Sequence, residues 1–138
     1  MTADATRDLI QRYYDAFNAG DTDAMLALVS DTIIHDVNQG GERRIGKERF
    51  QAFNARMTYH YEEALSDLVI FVNDDGTRAA AEFNVNGTYR MTEDGLPPAR
   101  DQTYQLPAGT FFAVADGKIT RVTTYYNLTD WITQVSEI

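Results

Sequence analysis

The sequence contains no cysteine, two histidines and three prolines in 138 residues. Without cysteine the chain has no disulfide bond, no thiolate nucleophile and no sulfur ligand for a metal. The histidines, His35 and His60, show no metal-ligand spacing, and the pair Gly40-Gly41 has neither the lysine of a P-loop nor the spacing of a dinucleotide-binding turn. We therefore predict that neither a metal nor another cofactor takes part in its function.

Positive charge is also scarce, since 12 lysine and arginine residues stand against 21 acidic residues, for a formal net charge of −9. A field of that sign repels nucleic acid and anionic membranes. The N-terminal residues lack the apolar run of a signal peptide, and no stretch approaches the roughly 20 apolar residues of a membrane helix. We expect a soluble, cytoplasmic protein with no nucleic-acid or membrane partner.

The length fits a single domain over residues 1–138 with a substantial core. In the first half, apolar residues recur at helical spacing. This spacing predicts one helix over about residues 3–18, a shorter one after Asp21, and a third from Lys47 to about Tyr61. A short strand over residues 33–38 precedes the third helix.

The second half of the sequence has the pattern of strands. Residues 68–72 are apolar on both faces, which predicts a strand inside a covered sheet. Turn signals at residues 73–76 and 116–117 flank two further strands, and a fourth strand leads into a short terminal turn or helix. This order predicts an α+β fold in which three N-terminal helices pack on one face of a curved antiparallel sheet.

The first strand and its turn contain the main candidate for chemistry. Asp36 shares a strand face with Ile34 and Asn38, because side chains alternate along a strand. A carboxylate in an apolar pocket has a raised pKa and is a better general base near neutral pH. Two interpretations are open at this point: Asp36 is such a pocket base, or its side chain caps the turn at Gly40-Gly41.

Several segments give the chain a family resemblance. They are Leu9-Ile10-Gln11-Arg12-Tyr13, Phe17-Asn18-Ala19-Gly20-Asp21, Ala27-Leu28, His35-Asp36-Val37-Asn38-Gln39-Gly40-Gly41 and Thr124-Tyr125-Tyr126-Asn127. With this element order the chain resembles the nuclear-transport-factor-2-like superfamily, in its SnoaL-like and ketosteroid isomerase-related branches. The resemblance implies a cystatin-like cone, in which a curved sheet wraps around the helices and leaves a deep apolar pocket.

The resemblance also implies site residues. Ketosteroid isomerase uses an aspartate base beside a tyrosine and a protonated aspartate that hold the oxyanion. The base falls on Asp36 if one residue is deleted from the preceding loop, and the tyrosine falls on Tyr13 without a gap. The protonated aspartate falls on Gly109, which has no side chain. The second oxyanion donor is then expected to be one of four other residues, which are His35, Asn38, Tyr61 and Tyr126.

We further expect the pocket to bind a small, apolar, ring-like molecule. The predicted walls are Phe17, Phe50, Phe53, Met57, Tyr61 and Phe111, and the alternative is that these side chains fill the core completely. Long strands with aromatic residues on both faces, such as Tyr104 and Phe112 opposite Phe111 and Tyr125, predict a homodimer through the sheet.

Three functions are compatible with this sequence. The first is an enzyme that abstracts a proton next to a carbonyl, in an isomerisation or an aldol-type cyclisation, with Asp36 as base and Tyr13 as oxyanion donor. The second is epoxide hydrolysis by an Asp–Arg–Asp arrangement, as in another branch of the superfamily. The third is a non-catalytic module for ligand binding or dimerisation.

Overall fold

The computed structural model describes residues 2–39 and 41–136. Within these ranges the elements follow in the order α1 (Ala3–Ala19), α2 (Thr22–Leu26), β1 (Val29–Val37), β2 (Arg44–Ile45), α3 (Lys47–His60), β3 (Tyr61–Val72), β4 (Arg78–Tyr89), β5 (Gln102–Ala115), β6 (Lys118–Tyr126) and α4 (Leu128–Ser136). The predicted α+β architecture with three N-terminal helices is confirmed. None of the helices in the described ranges has both the length and the apolar character that a membrane span requires.

The six strands form one curved, open sheet in the order β2-β1-β6-β5-β4-β3. Neighbouring strands are antiparallel except β1 and β6, which run parallel. The sheet thus differs at one pair, β1 and β6, from the antiparallel sheet that the sequence predicts. A parallel pair needs a long crossover connection, and residues 38–117 provide it.

Helix α1 forms one wall of the core. Thr2 caps its first turn by accepting a hydrogen bond from a backbone N–H at 3.0 Å, and Gly20 ends it with a φ of 70°. The capped ends hold the helix in register over the sheet, so its apolar stripe faces inward. The residues buried along this stripe include Leu9, Ile10, Tyr13, Tyr14 and Ala16.

Strand β3 lies at an edge of the sheet. Val69 and Phe71 are 44% and 52% exposed on it, so the prediction of a covered strand at residues 68–72 is wrong. The helices cover one face of the sheet, and alternate side chains of β3 point to the other. An apolar run alone did not distinguish an inner strand from an edge strand whose outer face is apolar.

Helix α4 closes one end of the core. Its residue Trp131 is buried and meets the rings of Tyr61, Tyr89 and Tyr104 edge-on, at centroid distances of 5.8, 4.9 and 5.9 Å. These three tyrosines come from β3, β4 and β5. The contacts therefore bring aromatic and polar side chains of three strands together beneath α4.

Candidate active site

A cavity of about 300 Å³ lies between the helices and the inner face of the sheet. Side chains from α1, α3, α4 and all six strands line it, and most of them are apolar or aromatic. The aromatic stripes therefore leave space between them in this part of the core. The predicted site residues that line this cavity are Tyr13, Phe17, His35, Phe50, Phe53, Met57, Tyr61 and Tyr126.

Strand β1 directs the predicted base away from this cavity. His35 and Val37 line the cavity, and alternation places Asp36 on the opposite, outer face of the strand. There the carboxylate of Asp36 accepts two hydrogen bonds from the guanidinium of Arg43, at 2.8 and 2.9 Å, and one from the hydroxyl of Thr123 at 3.0 Å. Asp36 is buried, but as the anion of an ion pair outside the cavity.

The neighbours of Asp36 also reverse the predicted direction of its pKa. Hydrogen bonds from Arg43 and, to a smaller extent, from Thr123 stabilise the carboxylate, so the pKa of Asp36 is lowered although burial opposes the shift. The prediction of a raised pKa is wrong because it considered the apolar neighbour Ile34 and not the arginine seven residues further along the chain. A carboxylate with a lowered pKa is a weak base near neutral pH.

Two predicted positions on β5 face away from the cavity as well. Ala108 and Thr110 line the cavity, so alternation directs positions 109 and 111 to the outer face of the sheet. Phe111 is 50% exposed there, and its prediction as a cavity wall is wrong. A side chain at position 109 would also point outward, so it could not donate a hydrogen bond into the cavity. The glycine at this position therefore removes no donor from the cavity.

Asn38 makes a structural contact instead of lining the cavity. It follows β1 with a φ of 56°, and its side-chain oxygen accepts a hydrogen bond from the backbone N–H of Tyr126 at 2.8 Å. Its own backbone N–H donates to the carbonyl of Thr124 at 2.8 Å. These bonds fasten the turn to β6 beside an open groove of about 630 Å³ on the outer face.

A carboxyl group enters the cavity from β3. Glu63, Gly87 and Tyr104 are paired side by side across β3, β4 and β5. The ring of Tyr104 passes over Gly87, and its hydroxyl donates a hydrogen bond to the carboxylate of Glu63. A Cβ atom at position 87 would collide with the ring of Tyr104, so glycine is what permits this crossing.

The environment of Glu63 suits proton transfer. Burial raises the pKa of Glu63 above its ordinary value, and the hydrogen bond from Tyr104 only partly opposes the shift. A carboxyl group whose pKa moves toward neutrality accepts a proton and returns it more readily at physiological pH. Glu63 therefore has the raised pKa that the sequence pattern predicts for Asp36.

Three tyrosines share the surroundings of Glu63. Burial raises the pKa values of Tyr61, Tyr104 and Tyr126, and the negative charge of Glu63 raises all three further. Their hydroxyl groups stay protonated at neutral pH and act as hydrogen-bond donors. A second carboxyl group, that of Glu93, also lines the cavity and raises the pKa values of Tyr61 and Tyr126.

Tyr13 contributes a further hydroxyl group from the α1 wall. Burial raises its pKa, and its ring meets those of Tyr14 and Phe112 edge-on at 5.3 and 5.8 Å. The ring contacts fix the side chain in the cavity lining, where a neutral phenol serves as a hydrogen-bond donor.

Basic side chains line a different part of the cavity, around Phe53. The guanidinium carbons of Arg44 and Arg56 lie 4.4 and 5.6 Å from the centroid of the Phe53 ring, and the His35 ring lies 4.5 Å from it. Burial, followed by the charge of Arg44, lowers the pKa of His35 to about 4. His35 is therefore a neutral imidazole at pH 7.

Sequence patterns did not identify Glu63, Glu93 and Tyr104 as residues that line the cavity. Gly87 was an available signal, because a glycine inside an alternating strand often marks a close approach of another group. It does not indicate which side chain makes that approach. In the part of the chain that the structure describes, no group of three or more potential metal-ligating side chains comes together.

Comparison with known proteins matches residues 10–122 to the family model of the SnoaL-like domain. Solved structures of proposed polyketide cyclases from Silicibacter sp. and Pseudomonas putida are 59% and 57% identical, with TM-scores of 0.94 and 0.92 and 99% of each chain covered. An LEH-like epoxide hydrolase from M. tuberculosis is 20% identical over 97% of this chain and 86% of that one, with a TM-score of 0.74, and shows likeness of fold alone. Comparison with curated proteins found no match. The chain therefore belongs to the SnoaL-like family of the nuclear-transport-factor-2-like superfamily.

Proposed function

We propose that this chain is a cofactor-independent enzyme that transfers a proton next to a carbonyl group of a small ligand held in the cavity. The reaction is an aldol-type cyclisation or an isomerisation. The observation that carries the proposal is the carboxyl group of Glu63, which lines an apolar cavity with a raised pKa and a hydrogen bond from Tyr104. The similarity to proposed polyketide cyclases supports the same class of reaction.

In the proposed reaction the carboxylate of Glu63 removes a proton from the carbon next to the carbonyl. The C–H electron pair moves into an enolate, whose oxygen accepts hydrogen bonds from tyrosine hydroxyl groups such as those of Tyr61 and Tyr126. In a cyclisation the enolate carbon bonds to a second carbonyl carbon, and the oxygen of that carbonyl takes the proton from Glu63. In an isomerisation the proton returns to a different carbon, so neither route needs an oxidant or a reductant.

This proposal replaces Asp36 with Glu63 as the base and keeps Tyr13 as a candidate donor. Asp36 lies on the outer face of β1, where Arg43 and Thr123 hold it as an anion. The Asp36–Arg43 pair contains two of the residue types of an Asp–Arg–Asp arrangement. Because it lies outside the cavity, it gives no support to epoxide hydrolysis within it.

Hydrogen–deuterium exchange tests the proposal directly. The purified protein is incubated with cyclic ketones and enones in deuterated water, and label uptake next to the carbonyl is followed by NMR. We expect Glu63→Gln to lower the enzyme-dependent rate by about 10²–10⁴-fold, which is the typical contribution of a general base. Tyr104→Phe should lower it by a smaller factor, because the carboxylate is retained.

Glu62→Gln is the matched control. Glu62 precedes Glu63 in β3, is exposed, and accepts a hydrogen bond from Arg90 at 2.7 Å. Its variant should exchange label at the rate of the unmodified protein. The role of Glu63 would be contradicted if label uptake were unchanged in Glu63→Gln, or if Glu62→Gln lost it equally. If the unmodified protein exchanged label no faster than the uncatalysed reaction, a non-catalytic binding module would be favoured.

A further inference from the structure

We propose that the natural ligand carries a carboxylate and that Arg44 and Arg56 bind this group at the Phe53 side of the cavity. Contacts around Phe53 form the carboxylate site. Only the orientation of the reacting carbonyl toward Glu63 rests on the proposed function. The sequence predicts an apolar ligand, whereas a ligand with a carboxylate is amphipathic.

Arg44 and Arg56 line the cavity without an acidic partner. Within residues 2–39 and 41–136 neither guanidinium has a hydrogen bond or an ion pair, whereas Arg43, Arg49 and Arg90 each pair with a carboxylate at 2.8, 3.0 and 2.7 Å. The chain has a net charge of −9, so acidic partners are abundant. Two unpaired cations beside one cavity are therefore available for an anion from outside the chain.

The contacts with Phe53 leave these two arginines able to bind a carboxylate. A cation over an aromatic ring uses its charge and none of its N–H donors. Each guanidinium retains five donors in a planar arrangement that matches the two oxygens of a carboxylate. The ring of Phe53 thus contacts both guanidinium groups without occupying the N–H donors that recognise an anion.

His35 provides an independent observation at the same place. Its Nδ1 atom is buried and has no hydrogen-bond partner among the described residues, and its ring packs against Phe53. A buried polar atom normally finds a partner, so the unpaired Nδ1 leaves one hydrogen bond of the ring unmet beside the two guanidinium groups. Because this atom is shielded from the cavity, the carboxylate is bound by the arginines and not by Nδ1.

Opposite charges along the cavity orient such a ligand. Glu63 and Glu93 repel a carboxylate from their part of the cavity, and Arg44 and Arg56 attract it to theirs. The carbonyl group of the ligand then lies toward Glu63 and its tyrosines. The substrate class that fits is a ring-bearing keto acid in which an apolar ring system separates the carboxylate from the reacting carbonyl.

A matched pair of probes tests the carboxylate site. We measure the affinities of 2-naphthoate and of its neutral counterpart 2-naphthamide by calorimetry at low ionic strength. The unmodified protein should bind the carboxylate at least 10-fold more tightly than the amide. Arg44→Gln and Arg56→Gln should each lower this ratio, and the double variant should bring it close to 1.

Arg49→Gln is the control for bulk charge, because Arg49 lies on α3, as Arg56 does, and pairs with Glu42 at 3.0 Å. It should keep the full preference. The proposal would be overturned if the unmodified protein bound the two probes equally, or if it did not measurably bind naphthoate at millimolar concentration. It would also be overturned if the preference survived in the double variant, or if Arg49→Gln lost it to the same extent. Melting curves identify a variant that fails to fold. If the variants at Arg44 do not fold, Arg56→Gln alone tests the site, because Arg56 is exposed and its replacement should not disturb the fold.

The outcome is separable from that of the proposed function. A carboxylate preference without deuterium exchange would retain this site and contradict the catalytic role of Glu63. Exchange without a carboxylate preference would retain the catalytic role and contradict this site.

Discussion

Asp36 and Glu63 are both shielded carboxyl groups, and their neighbours shift their pKa values in opposite directions. Arg43 donates two charge-assisted hydrogen bonds to Asp36, which favour its ionised form. Glu63 receives a hydrogen bond from the neutral phenol of Tyr104, and the effect of burial prevails. The surroundings thus make one carboxyl a structural anion and give the other the raised pKa that the proposed proton transfer requires.

The opposite pKa shifts predict that neutralising Asp36 and neutralising Glu63 have opposite effects on the free energy of unfolding. Asp36 has a lowered pKa in the fold, so its stabilisation is present above the unfolded pKa and is lost as pH falls through the folded value. Asp36→Asn should therefore lower the free energy of unfolding by roughly 1–3 kcal/mol at pH 7, with a smaller loss at acidic pH. Urea unfolding at a series of pH values measures this difference.

Glu63 has a raised pKa, so its contribution is present below the unfolded pKa and is lost as pH rises through the folded value. Glu63→Gln keeps an acceptor for the Tyr104 hydroxyl and removes the buried charge. In the same experiment it should be at least as stable as the unmodified protein at pH 7, and any advantage should shrink toward pH 4. A loss of stability for Glu63→Gln at pH 7, or none for Asp36→Asn, would contradict the assignment.

At the residue scale, sequence periodicity identified most of the predicted cavity walls but not Glu63, the carboxyl group proposed as the base. Helical spacing placed Phe50, Phe53 and Met57 on one face, and the packing of α3 on the sheet directs that face inward. Along β1 the alternation separated His35 from Asp36 correctly. It did not determine which of the two faces points to the core, because that depends on where α3 and Arg43 pack against the strand.

At the scale of elements, the helices and most strands followed from local patterns. The third helix, predicted from Lys47 to about Tyr61, ends at His60, and the two strands predicted between the turn signals at residues 73–76 and 116–117 are β4 and β5. Residues 68–72, predicted as a covered strand, belong instead to an edge strand that begins at Tyr61. The group formed by Glu63, Gly87 and Tyr104 depends instead on the register between three strands. A single sequence gives the alternation within each strand and does not give this register, so the crossing of Tyr104 over Gly87 could not be predicted.

The crossing predicts a specific sensitivity at Gly87. In Gly87→Ala the new methyl group collides with the ring of Tyr104, which is buried against Trp131 and cannot move freely. We expect a loss of roughly 1–3 kcal/mol in the free energy of unfolding, the usual cost of overpacking, together with slower deuterium exchange. Urea unfolding and the exchange assay measure the two effects.

Gly109→Ala is the matched control in the neighbouring strand β5. A Cβ atom there would lie 3.5 Å from the carbonyl oxygen of Ala81, an ordinary contact. Its free energy of unfolding should stay within about 0.5 kcal/mol of the unmodified value. Equal stability of the two glycine variants would show that the ring of Tyr104 does not need the space above position 87.

At the scale of the whole molecule, the two faces of the sheet differ in what covers them. Helices and the cavity lie against the inner face. On the outer face Phe71, Ala80, Phe111 and Thr123 form one row across four strands, and the ring of Phe111 meets that of Tyr125 at 5.8 Å. Phe71 and Phe111 are 52% and 50% exposed, which leaves aromatic surface in solvent.

The exposed rings of Phe71 and Phe111 support the proposal that the chain forms a homodimer through the outer face, because apolar surface of this kind usually marks an interface. Light scattering at micromolar concentration should give twice the mass of the chain. Phe111→Glu should give the monomer mass, whereas Tyr59→Glu, at a 61% exposed aromatic on α3, should remain dimeric. Two chains of net charge −9 repel each other, and salt screens that repulsion, so the dimer fraction should rise with ionic strength. A monomer mass for the unmodified chain, or a dimer that persists in Phe111→Glu, would show that this face does not join two copies.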